Sequence, residues 1–108
     1  MTEAQLQREA EKLLNWLKDT GRIRDYYHRP DRRAGHNERA GLPDLVIAGA
    51  HESRCSHCTR SLYAIELKIG KNKTTKAQDQ WLAAYGPWGA VCRSMDEVHH
   101  RLREWGII

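Results

Sequence analysis

The sequence contains no apolar run that approaches the length of a membrane span, and its first residues contain no signal-peptide core. We therefore expect a cytoplasmic protein with no membrane partner. Only three cysteines occur among the 108 residues, and in a reducing compartment they argue against a disulfide framework. No internal repeat or low-complexity segment is visible. The length suits one domain with a modest core, so we expect residues 1–108 to form a single small domain.

Positive charge is in moderate excess. The formal net charge is +4, which mildly favours an anionic partner. The position of the charges is more informative, because an arginine-rich loop over residues 28–42 and a lysine-rich segment after residue 67 flank the motif described below. A track of phosphate groups would require this arrangement, although a solvated surface explains it equally well. The candidate phosphate contacts are Arg32, Arg33, Arg39, Lys71 and Lys73.

Local signals predict three helices and four strands. Each helix begins after a Ser or Thr that is followed three residues later by Gln or Glu, which is the capping-box pattern; the N-caps are Thr2, Thr75 and Ser94. Gly21 and the Gly-Pro pair at Gly86 end the first two helices. Strands are predicted over residues 23–28, 45–48, 62–69 and 88–93, with the second and third forming a hairpin. The order of elements predicts an α/β fold, in which a central mixed sheet is covered by helices on both faces.

The remaining apolar residues are assigned to the core. Cys92 lies in an apolar strand and is expected to be a core thiol. The four tryptophans are also expected to face the core before any other role; they are Trp16, Trp81, Trp88 and Trp105.

The most informative motif lies at the mouth of one predicted strand and along the next. Asp44 ends a Gly-x-Pro-Asp segment, and Glu66 and Lys68 form a Glu-x-Lys segment. Since side chains alternate along a strand, Glu66 and Lys68 point to the same side, whereas residues 65 and 67 point into the core. Two carboxylates and an ammonium group can hold a divalent cation and a water molecule beside a phosphodiester.

This combination resembles the PD-(D/E)XK nuclease superfamily, and within it the chain is similar to the VRR-NUC (virus-type replication-repair nuclease) group. The resemblance rests on a Glu on the first helix, on Asp44, on the pair Glu66 and Lys68, and on Gln78 at the opening of the next helix. These features span nearly the whole chain, and their combined order is more specific than any one of them. The resemblance implies a restriction-endonuclease-like core and hydrolysis of phosphodiester bonds with Mg²⁺ or Mn²⁺.

Each residue of the motif also has a purely structural interpretation. Asp44 would be a metal ligand, but Asp in a turn also caps backbone donors. Glu66 would be the second ligand, and Lys68 would orient or help to activate the attacking water; the alternative is an exposed ion pair that contributes little to stability. The apolar residues between positions 63 and 69 favour a partly desolvated cleft over that alternative.

Glu3 and Gln78 complete the expected site. At about 100° per residue, Glu3 lies near the apolar face of the first helix, so it is the candidate third metal ligand, with Glu9 as the second choice. A glutamate favoured by the helix dipole is an equal alternative for Glu3. Gln78 could hydrogen-bond the scissile phosphate or support Lys68, yet it is also the return half of a capping box. The two roles of Gln78 are expected to exclude each other unless its side chain switches partners.

A cysteine-containing insert at about residues 49–61 departs from the short hairpin of the family. Cys55 and Cys58 have the spacing of a zinc knuckle, and His51 is a nearby candidate. A closed structural Zn²⁺ site needs four ligands, so this pair is half a site unless two subunits pool their cysteines. Two reduced, exposed thiols are the alternative. In either case we expect the insert to be structural and not catalytic.

These features lead to the hypothesis of a metal-dependent nuclease whose partner is DNA. The resemblance further implies a phage enzyme in the host cytoplasm, a homodimer, and an endonuclease acting on branched DNA such as junctions or flaps. Two other classes are kept: a non-catalytic nucleic-acid-binding module of the same fold, and a zinc-stapled interaction domain. The intact set of Asp44, Glu66 and Lys68 favours the enzyme.

Overall fold

The structure, a computed structural model, describes residues 1–29, 41–50 and 62–108. In this part of the chain three α-helices and four β-strands follow one another in the predicted order. The elements are α1 (Glu3–Asp19), β1 (Ile23–His28), β2 (Leu45–Gly49), β3 (Leu62–Leu67), α2 (Lys76–Tyr85), β4 (Gly89–Cys92) and α3 (Met95–Glu104). A short 3₁₀ turn, Gly86–Trp88, lies between α2 and β4. The predicted α/β fold is confirmed.

Side-chain caps determine where the helices begin. At the start of α1 the Thr2 hydroxyl accepts from the backbone N–H of Gln5, and the Gln5 side chain accepts from the backbone N–H of Thr2. Thr75 and Gln78 form the same pair of bonds at the start of α2. Ser94 likewise accepts from the Glu97 N–H at 3.2 Å. The Glu97 carboxylate, however, accepts from the backbone N–H of Arg93, one residue before the cap. Two predicted capping boxes are therefore complete, and the third is a simple N-cap.

The strands form one mixed sheet in the order β1-β2-β3-β4. β2 pairs antiparallel with β1 and β3, whereas β4 lies parallel to β3 after the crossover through α2. The antiparallel pairing of β2 with β3 is the predicted hairpin. Its register places Leu45 between His28 of β1 and Ile65 of β3. The end of β1, the start of β2 and the end of β3 therefore meet at one edge of the sheet, beside Asp44.

Alternation along β3 separates the core face of the sheet from the face that carries the motif. Tyr63, Ile65 and Leu67 are buried on the core face, where Trp105, directly after α3, stacks on Tyr63 with 4.9 Å between ring centroids. α1 packs against α3 on the same side. Glu66 points to the opposite face, on which α2 lies. Helices thus cover both faces, as the order of elements predicts.

Of the five residues assigned to the core, two are buried, two (Trp81 and Trp88) are half-buried and one is exposed. Cys92 is fully buried and unpaired, and burial raises the pKa of its thiol to about 12, so it is an inert core residue as predicted. Trp105 is buried, but Trp16 is 55% exposed. The prediction for Trp16 is wrong because the buried stripe of α1 runs through Leu14 and Leu17 and leaves residue 16 outside it. None of the helices in the described ranges has the length and apolar character of a membrane span.

Candidate metal-ion and phosphodiester site

The candidate site is built on one row of residues that crosses three strands. The β1–β2 register continues from His28 and Leu45 to Arg29 and Asp44, and the backbone N–H of Arg29 donates to the Asp44 carbonyl at 2.9 Å. The β2–β3 register continues from Leu45 and Ile65 to Asp44 and Glu66. Arg29, Asp44 and Glu66 are therefore cross-strand neighbours, a spacing at which side chains of adjacent strands interact directly.

Asp44 is buried and both of its carboxylate oxygens are engaged. Its exposure is 8%. Oδ1 accepts from Nη2 of Arg29 at 3.1 Å, and Oδ2 accepts from the backbone N–H of Leu67 at 2.8 Å. These bonds hold the carboxylate in one orientation at the start of β2. Each oxygen keeps a further lone pair, so a cation could still approach.

Glu66 is the most deeply buried charged group of the described residues. It is 1% exposed, and its Oε2 has no hydrogen-bond partner among the residues that the structure describes. Burial first, and the neighbouring Asp44 carboxylate second, raise the pKa of Glu66 from 4.5 to about 8, against the opposing charges of Arg29 and Lys68. A buried carboxylate oxygen without a partner is costly in a protein interior. Its position beside a second carboxylate is that of a ligand to a cation.

Lys68 lies two residues beyond Glu66 on the same side of the chain. Its Nζ is 4.0 Å from Glu66 Oε1, and its side chain is 13% exposed. Its backbone N–H donates to the Cys92 carbonyl at 3.1 Å, which continues the β3–β4 pairing beyond the end of β3. The sheet thus fixes the backbone of Lys68, and its ammonium group lies beside Glu66.

Gln78 completes its capping box and contacts the carboxylate pair at the same time. Its Oε1 accepts from the backbone N–H of Thr75 at 2.8 Å, while its Nε2 donates to Glu66 Oε1 at 3.0 Å. The expectation that the side chain must switch partners is wrong, because the two ends of a carboxamide serve one acceptor and one donor function at the same time. The capping box therefore aims the Nε2 group at Glu66, and Gln78 supports Glu66, not Lys68.

Gly41 brings the start of the Gly-x-Pro-Asp segment against the first turn of α2. Its φ is +85°, and a Cβ atom at this position would lie 2.6 Å from the Ala77 carbonyl oxygen and 2.7 Å from the Gln78 nitrogen. Such approaches are too short for any side chain. A glycine is required here for two reasons, the left-handed backbone and the missing Cβ. The contact ties the segment that carries Asp44 to the helix that carries Gln78.

Glu3 is not brought to the carboxylate pair. Among the described residues no group of three or more His, Cys, Asp and Glu side chains is close enough to hold a metal ion. Glu3 is exposed in the first turn of α1, which packs on the core face of the sheet, whereas Asp44 and Glu66 lie on the α2 side. Its role as third ligand stays a prediction, as does that of Glu9, which pairs with Lys12 at 3.2 Å on the surface.

The other predicted residues fall on the surface or outside the described ranges. Lys71 and Lys73 are exposed in the turn between β3 and α2, whose carbonyls at Gly70 and Asn72 accept from Arg93. Six residues lie outside the described ranges, so the predicted phosphate contacts and the zinc site they form remain predictions; they are Arg32, Arg33, Arg39, His51, Cys55 and Cys58.

Arg29 is a further member of the site, and its role was not predicted from the sequence. Its side chain is 13% exposed, and besides Asp44 its Nη1 reaches the Leu42 carbonyl at 3.0 Å. The sequence does show that Arg29 directly follows the predicted strand β1. It does not show that β1 pairs antiparallel with β2, and only this pairing brings the end of β1 to Asp44 at the start of β2.

Comparison with known proteins supports the fold. A solved structure described as a VRR_NUC domain protein superposes on this chain with a TM-score of 0.60 and 24% sequence identity, covering 97% of this chain and 88% of the other. No protein-family model and no curated protein matches the chain. At this level of identity the likeness establishes the fold and not the activity. The chain therefore has the fold of a VRR_NUC domain protein, the same group that its motifs resemble.

Proposed function

We propose that this protein is a Mg²⁺- or Mn²⁺-dependent deoxyribonuclease that hydrolyses phosphodiester bonds. The observation that carries the proposal is a pair of buried carboxylates, Asp44 and Glu66, on neighbouring strands. Glu66 Oε2 has no hydrogen-bond partner among the described residues, and Lys68 lies beside Glu66. An ordinary protein interior does not leave such a carboxylate unpaired. Binding of a cation removes this cost.

The donor set fits a hard divalent cation. Asp44 and Glu66 offer carboxylate oxygens, which Mg²⁺ and Mn²⁺ prefer. Mg²⁺ usually keeps several water molecules, so two protein carboxylates are a sufficient protein contribution. When bound, such an ion supplies Lewis acidity toward a phosphoryl oxygen and lowers the pKa of a bound water.

The chain's own residues prepare the site for this chemistry. Gln78 holds Glu66 Oε1 and leaves Oε2 without a hydrogen-bond partner among the described residues. Arg29 and the Leu67 N–H hold Asp44. The Lys68 ammonium group can orient a water molecule and stabilise negative charge that develops on the phosphate, and in a partly desolvated site such a fixed charge is most effective.

Finer features of the proposal come from the resemblance. They are a phage enzyme in the host cytoplasm, a homodimer, and preference for branched DNA over plain duplex. Lys71 and Lys73 are exposed in the turn that follows Lys68, and this exposure supports a role for them as contacts to the DNA backbone.

The direct test is incubation of the protein with labelled duplex, junction and flap DNA in Mn²⁺ and in chelator. We expect cleavage in Mn²⁺ alone, and loss of cleavage in Asp44→Asn and Glu66→Gln, because a carboxamide keeps the shape but not the charge that a hard cation requires. Asp19→Asn, an exposed change at the end of α1, is the matched control and should cut at the wild-type rate. Wild-type rates in either folded site variant would overturn the assignment, and binding without any cleavage would favour the non-catalytic module.

A further inference from the structure

Arg29 occupies one of the two oxygens that a metal ion on Asp44 would use. Its guanidinium donates to Asp44 Oδ1 at 3.1 Å and to the Leu42 carbonyl at 3.0 Å, and the side chain is 13% exposed. The remaining oxygen, Oδ2, accepts from the Leu67 N–H. In the metal-free protein, Arg29 is therefore the direct counter-ion of Asp44.

Two cationic side chains already lie beside the two carboxyl groups of the site. Arg29 pairs with Asp44, and Lys68 lies 4.0 Å from Glu66. A divalent cation between the two carboxylates adds two positive charges within a few ångströms of two existing ones. Repulsion between charges at such distances is strong in a partly desolvated site. Release of one existing cation relieves this repulsion, and Arg29 is the one that donates a hydrogen bond to a ligand oxygen directly.

We propose that Arg29 stands in for the metal ion on Asp44, and that metal binding displaces its guanidinium, which then binds a phosphate of the DNA. The inference rests on the proposed function and adds a residue and an exchange of partners to it. A guanidinium suits both states because its planar fork of donors fits a carboxylate and a phosphate equally well.

The position of Arg29 supports the second half of the exchange. Its backbone stays bonded to the Asp44 carbonyl, so the side chain can leave Oδ1 without leaving the site. The released guanidinium then stays beside the Asp44–Glu66 pair, where the phosphate to be cleaved would lie in the proposed function.

The first test measures metal binding without DNA. Mn²⁺ titrations by calorimetry should show at least tenfold tighter binding to Arg29→Gln than to the wild type, since the competing cation is gone. Arg8→Gln removes the same charge from an exposed position on α1 and should bind Mn²⁺ like the wild type. A merely structural role for Arg29 predicts the opposite sign, because a misplaced Asp44 would bind the ion more weakly.

The second test measures DNA binding in a Lys68→Ala background, which keeps the DNA intact. In chelator, Arg29→Gln should bind a junction as Arg8→Gln does, because the guanidinium is engaged by Asp44. In Mn²⁺ the same change should weaken DNA binding at least fivefold. Arg29→Lys, which keeps the charge but not the fork, should shift Mn²⁺ and DNA binding in the same directions by smaller factors, and it serves as the second variant if Arg29→Gln does not fold.

The outcomes separate this inference from the function on which it rests. A wild-type protein that neither binds Mn²⁺ nor cuts DNA would overturn the proposed function. A wild type that does both, with Arg29 variants that bind Mn²⁺ no more tightly or lose DNA affinity equally in chelator and in Mn²⁺, would overturn only the exchange of partners.

Discussion

Replacing Glu66 by glutamine should change how the stability of the metal-free protein depends on pH. The carboxyl group is 1% exposed, and its pKa is raised from 4.5 to about 8 by burial first and by the Asp44 carboxylate second. In the folded protein Glu66 therefore keeps a proton that it releases in the unfolded chain. Glutamine has nearly the same shape and carries no charge at any pH, so it isolates the cost of ionising this buried group.

The direction follows from proton linkage. Between pH 4.5 and about 8 the folded state binds more protons than the unfolded state, so the free energy of unfolding decreases as pH rises. The Glu66 contribution is fully present below pH 4.5 and is lost once the pH passes about 8. At about 1.4 kcal/mol per pH unit, the whole window corresponds to roughly 5 kcal/mol in favour of the glutamine variant at high pH.

Urea unfolding of both proteins in chelator, at pH 5.5, 6.5, 7.5 and 8.5, measures this difference. The variant should gain steadily relative to the wild type as pH rises toward about 8, and the gain should level off above it. Glu9→Gln, a change in a surface ion pair, should stay parallel to the wild type. If the difference in free energy of unfolding between the two proteins does not depend on pH, or increasingly favours the wild type as pH rises, Glu66 is not a buried group that holds its proton.

Three further predictions address the site and its surroundings. Lys68→Ala should lose most of the cleavage rate while DNA and Mn²⁺ binding persist, because its charge acts on the water and the transition state; a parallel loss of binding would make it a phosphate contact instead. Gly41→Ala should destabilise the fold by more than about 1 kcal/mol in urea unfolding and slow cleavage, since its Cβ would collide with the backbone of α2. Joint substitution of Arg32, Arg33 and Arg39 by Gln should weaken DNA binding. The slope of the logarithm of the binding constant against the logarithm of salt concentration should become shallower by about 0.9 for each phosphate that the variant no longer neutralises. An unchanged slope would exclude these arginines from the DNA interface.

Much of the fold could be predicted because it depends on residues that are close in sequence. The Thr2 and Thr75 capping boxes join residues three apart, and both are complete. The strand at Ile23–His28 has the predicted bounds. Alternation along β3 likewise places Glu66 opposite the core residues Ile65 and Leu67 whatever the strand pairs with.

The tertiary structure alone decided how the site is assembled. The register that sets Arg29 and Asp44 beside Glu66 depends on pairings between strands that are distant in the sequence, and a shift of one residue would turn every side chain to the other face. Glu3 shows the same limit. Its helical phase placed it near the apolar face of α1, but the phase does not say what that face meets, and Glu3 is exposed in the structure.

What the sequence by itself determined, then, is the order of the elements and the presence of Asp44, Glu66, Lys68 and Gln78 at their ends, because local hydrogen bonds and alternation set both. Packing determined the burial of Glu66, its unpartnered oxygen and its raised pKa, together with the pairing of Arg29 with Asp44. These properties require a helix above the sheet and a neighbouring strand beside it, and no short-range pattern contains either.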